Sequence, residues 1–451
     1  MRYNSGMFLI RRPTNTQIII LVFLTLIGVG AFLLALPISS RNGLWTPAAD
    51  ALFTSASAVC VTGLVVVDTY IHWSAFGQTV ILILIQIGGL GFMSVITMFS
   101  LFLGRRIGLA ERTLIMQASG IIQFGGVITL LRRIILMTML FQSIGAIILS
   151  VRFVPLMGLS DGLFNAVFHS VSAFCNAGFD LFGKYGEFSS LSAFYQDYTV
   201  LLTISGLYII GGLGFLVWSD IFKHRMRFVK YALHTKIVLS VSIALLALAV
   251  LGFFFLEAEH SMMDMPTSTR WVNAWFQGST PRSSGYSPLN MNDLSQPGRL
   301  LTMFLMFIGG SPGSTAAGLK TTTFLVVVLS AMTLSRKNQH VALFRRRLTE
   351  DTIRNANAIF VIYLGIIFTA TILISAVEPF PLSDILFEVV SAACTVGLST
   401  GITPELGPFA QTVMTVLMFV GRVGLMTIVM ALHGRHRENA QERVPEKILI
   451  G

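Results

Sequence analysis

Long runs of apolar residues constrain this chain more than any other feature of its sequence. They occupy residues 16–37, 77–104, 134–151, 199–218, 236–256, 299–310 with 324–332, 357–376 and 410–432. Most of them reach or approach the roughly 20 residues that a helix needs to cross the hydrocarbon of a bilayer. Only 12% of the residues are charged, about half of the roughly 25% that is usual in soluble proteins. The chain is therefore predicted to be an all-α integral membrane protein.

The distribution of charge predicts how the chain is oriented in the membrane. Segments 1–15, 105–133, 219–237, 333–356 and 433–451 hold most of the 31 Lys and Arg residues, whereas the connections between them are richer in Asp and Glu. Because positively charged loops remain in the cytoplasm, both termini are predicted to be cytoplasmic, in the cell's inner membrane. The same basic segments suit anionic membrane lipids or a cytoplasmic partner. A nucleic-acid partner is not predicted.

Four short segments resemble one another, which indicates an internal repeat. They read ALFTSASAVCVTGL at 51–64, AVFHSVSAFCNAGF at 166–179, AWFQGSTPRSSGY at 274–286 and LFEVVSAACTVGL at 386–398. Aligned on their last glycine, all four carry a serine six positions earlier, and three carry a cysteine three positions earlier. The glycines are Gly63, Gly178, Gly285 and Gly397; the serines are Ser57, Ser172, Ser279 and Ser391; the cysteines are Cys60, Cys175 and Cys394. A second glycine motif follows in each repeat, as QIGGLGF, IIGGLGF, FIGGSPGS and FVGRVGL.

Each repeat is predicted to form a spanning helix, a short helix, a glycine loop and a second spanning helix. Two crossings return the chain to its starting side, so all copies share one orientation and can surround an axis normal to the membrane. The predicted fold is four parallel helix–pore-loop–helix repeats around a pseudo-fourfold pore, as in a potassium channel. Its parts are an N-terminus at 1–15, repeats at 16–104, 130–220, 235–332 and 355–432, and a cytoplasmic tail at 433–451.

The glycine loops are predicted to line the axis of this pore. Irregular backbone at membrane depth is tolerated only inside protein or beside a water-filled cavity, and a ring of backbone carbonyls can replace the hydration shell of potassium. Glycine has no Cβ, which lets its carbonyl turn inward and lets neighbouring loops approach closely. The C-terminal end of each short helix would add a partial negative charge that favours a cation.

These motifs resemble those of the Trk/Ktr/HKT superfamily of potassium transporters, and the chain is most similar to the Ktr ion-translocating subunit. The resemblance extends over nearly the whole chain, through SAVCVTGL, SAFCNAGFDLF, STPRSSGYS, SAACTVGLSTG, LHTKIVL (233–239) and VPEKILIG (444–451). It implies potassium uptake, one pore with one selectivity filter per subunit, a homodimer, and a cytoplasmic ring of nucleotide-binding regulatory subunits of the RCK/KTN type. It also implies activation by sodium, for which we identify no residues.

The resemblance assigns three residues of each loop to a filter that binds K+ through backbone carbonyls. They are Val61, Thr62 and Gly63; Asn176, Ala177 and Gly178; Ser283, Ser284 and Gly285; and Thr395, Val396 and Gly397. Glycine at position 63 favours potassium, since relatives that prefer sodium often carry serine there. The third loop departs from the others with Pro281 and Arg282. Arg282 either braces the back of the filter or extends outward to the membrane surface.

The third repeat interrupts its second apolar run with GGSPGSTAAGLKTT at 309–322, where its three counterparts are expected to continue as helices. The segment fits either a plain kink at Pro312 or a mobile gate below the filter, and the resemblance favours an intramembrane gating loop. A charge at mid-membrane costs at least about 2.5–3.5 kcal/mol, so Arg422 is expected to face the pore and repel cations. Lys320 either joins this gate or extends towards the cytoplasm. The predicted gate residues are Gly309, Gly310, Ser311, Pro312, Gly313, Ser314, Thr315, Gly318, Lys320 and Arg422.

Other functions fit the sequence less well. The cysteines lack CxxC spacing and are predicted to be small buried side chains behind the filter. No nucleotide-binding or catalytic motif is found, so the chain is predicted to bind no nucleotide itself and not to be an enzyme; K+, with Na+ as a second candidate, is its predicted ligand. A sodium-coupled secondary transporter usually has inverted repeats, which the even number of crossings disfavours, and a constitutively open cation channel is the other alternative.

Three acidic residues lie close to the loops in the sequence. Asp68, Asp180 and Glu388 are expected either to form an outer vestibule that attracts cations or to be simply solvated.

Overall fold

A computed structural model describes residues 14–91, 127–225, 227–335, 341–344, 346–425 and 427. The predicted terminal segments, apart from residues 14 and 15, the end of the first repeat at 92–104 and the motif at 444–451 lie outside the described residues. Within the described ranges the chain is helical, apart from turns, loops and a short hairpin of β1 (Ala342–Leu343) and β2 (Arg346–Arg347).

The helices recur in one order along the chain, in which a long helix is followed by a short helix and then by a third helix of 12–16 residues. The long helices are α1 (Asn15–Ala35), α5 (Val127–Met157), α9 (Leu233–Leu256) and α13 (Glu350–Ser375). The short helices that follow them are α2 (Ala48–Cys60), α6 (Leu159–Phe174), α10 (Thr267–Ser279) and α14 (Leu382–Ala393). The remaining helices are α3 (Thr69–His72), α4 (Ala75–Leu90), α7 (Tyr198–Leu213), α8 (Phe215–His224), α11 (Gln296–Phe307), α12 (Thr321–Ser335) and α15 (Pro408–Val423).

The long helices have the length and composition of membrane spans. Of the described helices, α1, α5, α9 and α13 are each long and apolar enough to cross a bilayer, and the bent pair α7–α8 adds a fifth span if it is counted as one. Each long helix exposes large apolar side chains, among them Phe32, Ile147, Phe255 and Phe368, which are 65–72% exposed. An apolar exterior of this kind suits lipid rather than water, which agrees with a multi-pass membrane protein.

The short helices are buried between the longer ones. Ser55 of α2 donates a hydrogen bond to the carbonyl of Ile27 at 2.7 Å, and Ser170 of α6 donates to the carbonyl of Gln142 at 2.6 Å. Both serines lie eight positions before the aligned glycine of their repeat. Small hydroxyl side chains let helices approach closely in an apolar environment, and their hydrogen bonds satisfy the hydroxyl there. The short helices of the first two repeats are thereby fixed to the spans that precede them.

In the first, second and fourth repeats, the second spanning helix ends at a glycine of the second motif. Gly91 caps α4 with a φ of 76°, Gly424 caps α15 with a φ of 87°, and Gly214, at 98°, separates α7 from α8, which are bent by 92°. A left-handed residue cannot continue a right-handed helix, and glycine adopts this conformation at the least cost. Our expectation that only the third repeat breaks at this place was therefore wrong. What distinguishes the third repeat is the length of its break, between α11 and α12.

Candidate functional site

The four aligned glycines are neighbours in space. Each glycine approaches the backbone of the next loop so closely that an added Cβ would come within 3.0 Å of one of its atoms, and the pairs are Gly63–Ala177, Gly178–Gly285, Gly285–Val396 and Gly397–Thr62. The loops therefore contact one another in the cyclic order first, second, third, fourth and first. A side chain at any of these glycines would displace the backbone of its neighbour.

The twelve predicted filter residues share one alternating backbone conformation. The first residue of each triplet is left-handed, with φ values of 58° at Val61, 62° at Asn176, 71° at Ser283 and 48° at Thr395. The glycines that end the triplets have φ values between 72° and 92°, whereas the middle residues have negative φ. In a β-strand, successive backbone carbonyls point to opposite sides. When successive residues alternate between left-handed and right-handed φ, their polar backbone groups point to the same side. Each triplet can thus present its carbonyls together.

The amide groups of the triplets are occupied by the short helices. The amide of Thr62 donates to the carbonyl of Ser57 at 2.8 Å, and the amide of Gly63 donates to the Oγ of the same serine at 3.0 Å. In the fourth repeat, Val396 and Gly397 bond in the same way to the carbonyl and the Oγ of Ser391. The serine of the repeat motif therefore holds the loop against the C-terminal end of its helix. The sequence alignment had identified these serines as part of the repeat, but it did not predict that they would hydrogen-bond to the loop.

The second and third repeats hold their loops by a variant of this arrangement. Ser172 donates its hydroxyl to the carbonyl of Phe179, the residue after the glycine, at 2.8 Å. In the third repeat Thr280, one position after the aligned serine, donates to the carbonyl of Tyr286. Tyr286 in turn donates its hydroxyl to the carbonyl of Phe179 at 2.8 Å, which ties the third loop to the second.

Most carbonyls of the triplets have no hydrogen-bond partner. Among the described residues a hydrogen bond reaches only the carbonyl of Thr395, from the hydroxyl of Ser283 at 2.8 Å. Most of these residues are buried, with Thr62, Ala177, Ser284 and Val396 at 0% exposure. A buried carbonyl without a partner costs free energy comparable to that of a lost hydrogen bond. A ring of such carbonyls therefore suits a ligand that carries positive charge.

The segment 309–320 packs directly against these triplets. The Oγ1 of Thr315 donates to the side-chain oxygen of Asn176 at 2.8 Å, and the amide of Ala317 lies 3.5 Å from the Oγ of Ser283. Asn176 and Ser283 are first residues of their triplets. Gly318, with a φ of 77°, lies so close to Cys394 of the fourth repeat that an added Cβ would come within 3.2 Å of that residue. The segment thus contacts three of the four repeats.

Backbone hydrogen bonds hold the same segment beside the break of the second repeat. The amide of Ser311 donates to the carbonyl of Gly212 at 3.1 Å, and the amide of Phe215 donates to the carbonyl of Gly313 at 2.8 Å. Within the segment, Ser314 donates to the carbonyl of Ser311 at 2.6 Å. Gly309 packs against Ala317, Gly310 packs against Ala316, and Pro312 lies next to Gly214. In this structure the segment is an ordered loop with its own internal contacts, and not a simple kink.

Arg422 joins this loop to the first repeat. Its guanidinium donates to the carbonyl of Thr315 and to those of Gly88 and Gly89, the last at 3.2 Å. The side chain of Lys320 turns back to the carbonyl of Ala316, at 2.7 Å, rather than extending away from the loop. Both cations are therefore within the cluster formed by the loop and the glycine motifs of the second helices.

Arg282 and the three cysteines each directly precede a triplet in the chain. The guanidinium of Arg282 donates to the hydroxyl of Ser242 on α9 at 3.1 Å, and its bracing of the filter stays a prediction. Cys60, Cys175 and Cys394 are buried and form no disulfide, and Cys175 is one of the residues against which Gly89 packs. Within the described residues, no three His, Cys, Asp or Glu side chains are placed to hold a metal ion together.

Glu388 and Asp68 do not form the free vestibule, or the solvated groups, that we expected. Glu388 is 1% exposed and accepts hydrogen bonds from Ser399 at 2.6 Å, from Thr403 at 2.6 Å and from the amide of Thr400 at 2.8 Å. These donors lie in the loop after the fourth triplet, so the carboxylate fixes that loop to α14. The expectation failed because the partners that bury Glu388 come from a separate segment of the chain.

Asp68 and Asp180 also accept hydrogen bonds from backbone amides. Asp68 is 6% exposed and caps α3 through the amides of Tyr70 and Ile71, while its second oxygen accepts from the amide of Phe188 at 3.0 Å. It therefore joins the outer loops of the first and second repeats. Asp180 accepts from the amide of Phe182 at 2.9 Å.

Comparison with known proteins identifies similar chains and a similar fold. The family described as TrkH, cation transport protein, matches residues 5–440. The chain is 39% identical to the potassium/sodium uptake protein NtpJ of Enterococcus hirae, over 98% of each chain, and 40% identical to the Ktr system potassium uptake protein B of Bacillus subtilis, over 95% of each. Its fold is similar to the crystal structure of the potassium transporter TrkH from Vibrio parahaemolyticus, with a TM-score of 0.75 at 19% identity, covering 95% of this chain and 86% of that one.

Proposed function

Because this chain belongs to the TrkH family of cation transport proteins, we propose that it mediates potassium uptake through the ring formed by the four triplets. The observation that carries the proposal is the set of buried triplet carbonyls without protein partners, in a backbone that can turn them to one side. The names of two relatives, which both include the uptake of potassium, support the choice of ion. One of these names also includes sodium, which makes Na+ the second candidate.

Carbonyl oxygens in this arrangement would select an ion by replacing its water. A potassium ion that enters the ring loses its hydration shell and regains oxygen ligands from the triplets. The C-terminal ends of α2, α6, α10 and α14 precede the triplets and add a partial negative charge. No Asp or Glu belongs to the triplets, so the attraction comes from dipoles, which bind a cation without retaining it as a buried carboxylate would.

Uptake measurements in a cell that lacks its own potassium transporters test this function. The proteins compared are the native chain and four variants in which Gly63, Gly178, Gly285 or Gly397 is changed to serine. Gly206→Ala is the control, since a Cβ on Gly206 meets no atom within 4 Å. We expect the native form and the control to restore rubidium uptake. Each serine variant should lose uptake or its preference over sodium. Serine variants that match the native form in both rate and ion preference would contradict the proposal.

The loop 309–320 and Arg422 are proposed to be the gate of this pathway. Support comes from the packing of the loop against three repeats and from the guanidinium that bonds both the loop and the first repeat. A fixed positive charge next to the ring repels a cation in a low-dielectric environment. The arrangement seen here would then be the closed one, and opening would require the loop to break its hydrogen bonds to Asn176, Gly212 and Phe215.

Regulation by a cytoplasmic subunit is a further part of the proposal. The word "system" in the name of the Bacillus subtilis relative and the basic segments of this chain support a partner on the cytoplasmic side, where both termini are placed by the charge pattern. We propose a nucleotide-binding ring of the RCK/KTN type, a homodimer of this chain, and activation by sodium. Purification from native membranes should yield a nucleotide-binding subunit together with the chain, and sodium should raise rubidium uptake. Uptake that does not respond to sodium would remove the sodium part alone.

A further inference from the structure

A cavity of about 390 Å3 lies beside the bent second helix, between α5 and α8. Its apolar wall includes Met137 on α5 and Phe215, Trp218 and Phe222 on α8. Arg133 and Lys223, one from each helix, also line it. The cavity thus combines an aromatic wall with two cations that come from different elements of the fold.

The aromatic wall is held in place by the break at Gly214. The indole nitrogen of Trp218 donates to the carbonyl of Ile210 at 3.1 Å, on the other side of the break. The ring of Trp218 packs against Phe141 at 5.3 Å and against Phe174, the last residue of α6, at 5.7 Å between centroids. The wall is therefore a preformed surface, which lowers the entropic cost of binding a ligand there.

The two cations are available for an anionic ligand. Among the described residues, neither Arg133 nor Lys223 forms an ion pair, and both are exposed. Asp220 is the acidic residue of α8, and its carboxylate is already bonded to the amide of Ala232 at 2.8 Å and paired with His224. The negative charge that the cavity suits must therefore come from outside the described chain.

We propose that this cavity binds an anionic phospholipid of the surrounding bilayer. Arg133 lies at the start of the apolar span Leu131–Met157, which is the depth at which lipid head groups lie, and basic pockets between membrane helices bind such head groups. The phosphate is attracted by Arg133 and Lys223, and an acyl chain lies along Phe215, Trp218 and Phe222. Phe222 is 56% exposed, so the lipid covers apolar surface that the described protein leaves open.

The phospholipid site is connected to the loop 309–320. Phe215, whose side chain lines the cavity, donates its amide to the carbonyl of Gly313 at 2.8 Å, and Gly214 packs against Pro312. An occupant that holds Phe215 in place also holds this side of the loop. If the loop is the gate, which rests on the proposed function, anionic phospholipid stabilises the closed arrangement and its removal raises basal flux.

Lipid binding is measured with the full chain in vesicles, independently of transport. Brominated phosphatidylglycerol or brominated phosphatidylcholine serves as the probe, and quenching of tryptophan fluorescence is the signal. The test protein is Arg133→Gln/Lys223→Gln, and the control is Arg132→Gln/Arg227→Gln, which removes the same charge from exposed positions outside the cavity. With about 1 kcal/mol per basic residue, the test protein should bind phosphatidylglycerol about tenfold or more weakly than the native chain. The control should retain native binding.

Three results would overturn the site. One is equal quenching by the two lipids in the native chain, and another is equal loss in the test and control proteins, which would indicate general surface charge. Quenching that is the same in all three proteins would equally exclude a lipid in this cavity. Rubidium flux in the same vesicles tests the connection: the test protein should show raised basal flux, and lost binding with unchanged flux would overturn the connection to the loop. Since binding is read without transport, failure of the proposed transport function would leave the binding result intact.

Discussion

The first, second and fourth repeats differ from the third in what their second glycine motif contacts. Gly88, Gly211 and Gly421 each pack against a carbonyl of the short helix of their own repeat, from Val59, Phe174 and Ala393. These three carbonyls belong to residues four positions before the aligned glycines of the loops. The corresponding Gly309 of the third repeat packs instead against the carbonyl of Ala317, in the loop 309–320.

This difference shows how one repeat acquires a separate task within a common architecture. In three repeats the second helix approaches the end of the short helix, and a glycine is needed there because any Cβ would come within 3.0 Å of the carbonyl. In the third repeat the loop occupies the corresponding place, and from there it reaches Asn176 and Arg422. We infer that all four repeats build the proposed pathway and that the third supplies its barrier as well.

The largest effect is expected from alanine at a second-motif glycine of an ordinary repeat. Gly421→Ala places a Cβ against the backbone carbonyl of Ala393, and such overpacking costs about 1–3 kcal/mol. We expect less folded protein in the membrane, a lower thermal midpoint and lost uptake. Gly365→Ala on α13 is the control, because a Cβ there meets nothing within 4 Å. Equal stability of the two variants would contradict the close contact between Gly421 and Ala393 that we use to define the ordinary repeats.

Changes in the third repeat should instead open the pathway. Deleting 313–318 removes Thr315 and Gly318 from below the triplets, and we expect basal rubidium flux in proteoliposomes to rise about tenfold or more, which corresponds to about 1.4 kcal/mol of lost barrier. Gly309→Ala, which displaces Ala317 without shortening the chain, should raise flux in the same direction. If either variant simply lost stability as Gly421→Ala does, the third repeat would not differ from the others.

Neutralising Arg422 should have a smaller effect of the same sign. Arg422→Gln removes the positive charge and part of the hydrogen bonding to Thr315 and Gly88, while the loop keeps its other contacts. We expect basal flux to rise severalfold, on the order of fivefold for about 1 kcal/mol. Arg354→Gln, whose native side chain is 80% exposed and paired with Asp351, is the matched control. Unchanged flux in Arg422→Gln would show that this charge is not part of the barrier.

The smallest effect is expected from one of the hydrogen bonds between loop and filter. Thr315→Val retains the shape of the side chain but removes its donation to Asn176, and a neutral hydrogen bond of this kind contributes as little as about 0.5 kcal/mol. Basal flux should rise about twofold, with normal amounts of folded protein. Thr412→Val, at an exposed position on α15, is the control. Reduced flux in Thr315→Val would indicate that the loop supports conduction instead of blocking it.

The repeats and their four glycines could be predicted from the sequence because they recur at aligned positions. The interruption at 309–322 could be predicted because it departs from the pattern of the other three repeats. Ser57 and Ser391 were aligned as well. Their hydrogen bonds to Gly63 and Gly397 depend on the left-handed residues Val61 and Thr395, which turn the chain back towards the short helix. The spacing of the residues does not predict that turn. Gly214 was visible within an apolar run that looked continuous, so the 92° bend was missed.

The contacts that could not be predicted join distant segments. Glu388 and Asp68 were misjudged because their donors lie in other loops, at Thr403 and Phe188. The bond between Thr315 and Asn176 spans 139 positions and two repeats. A hydrophobic pattern specifies which face of a helix is buried, and it does not specify which polar group from elsewhere will meet a buried side chain.

The position of the transported ion tests the central claim most directly. Crystals or vitrified particles of the full chain prepared with thallium or rubidium in place of potassium would locate the ion by its scattering. We predict density enclosed by the four triplets, within coordination distance of carbonyls from more than one repeat. Occupied ion sites found only elsewhere in the molecule, with the ring between Gly63, Gly178, Gly285 and Gly397 empty, would contradict the account.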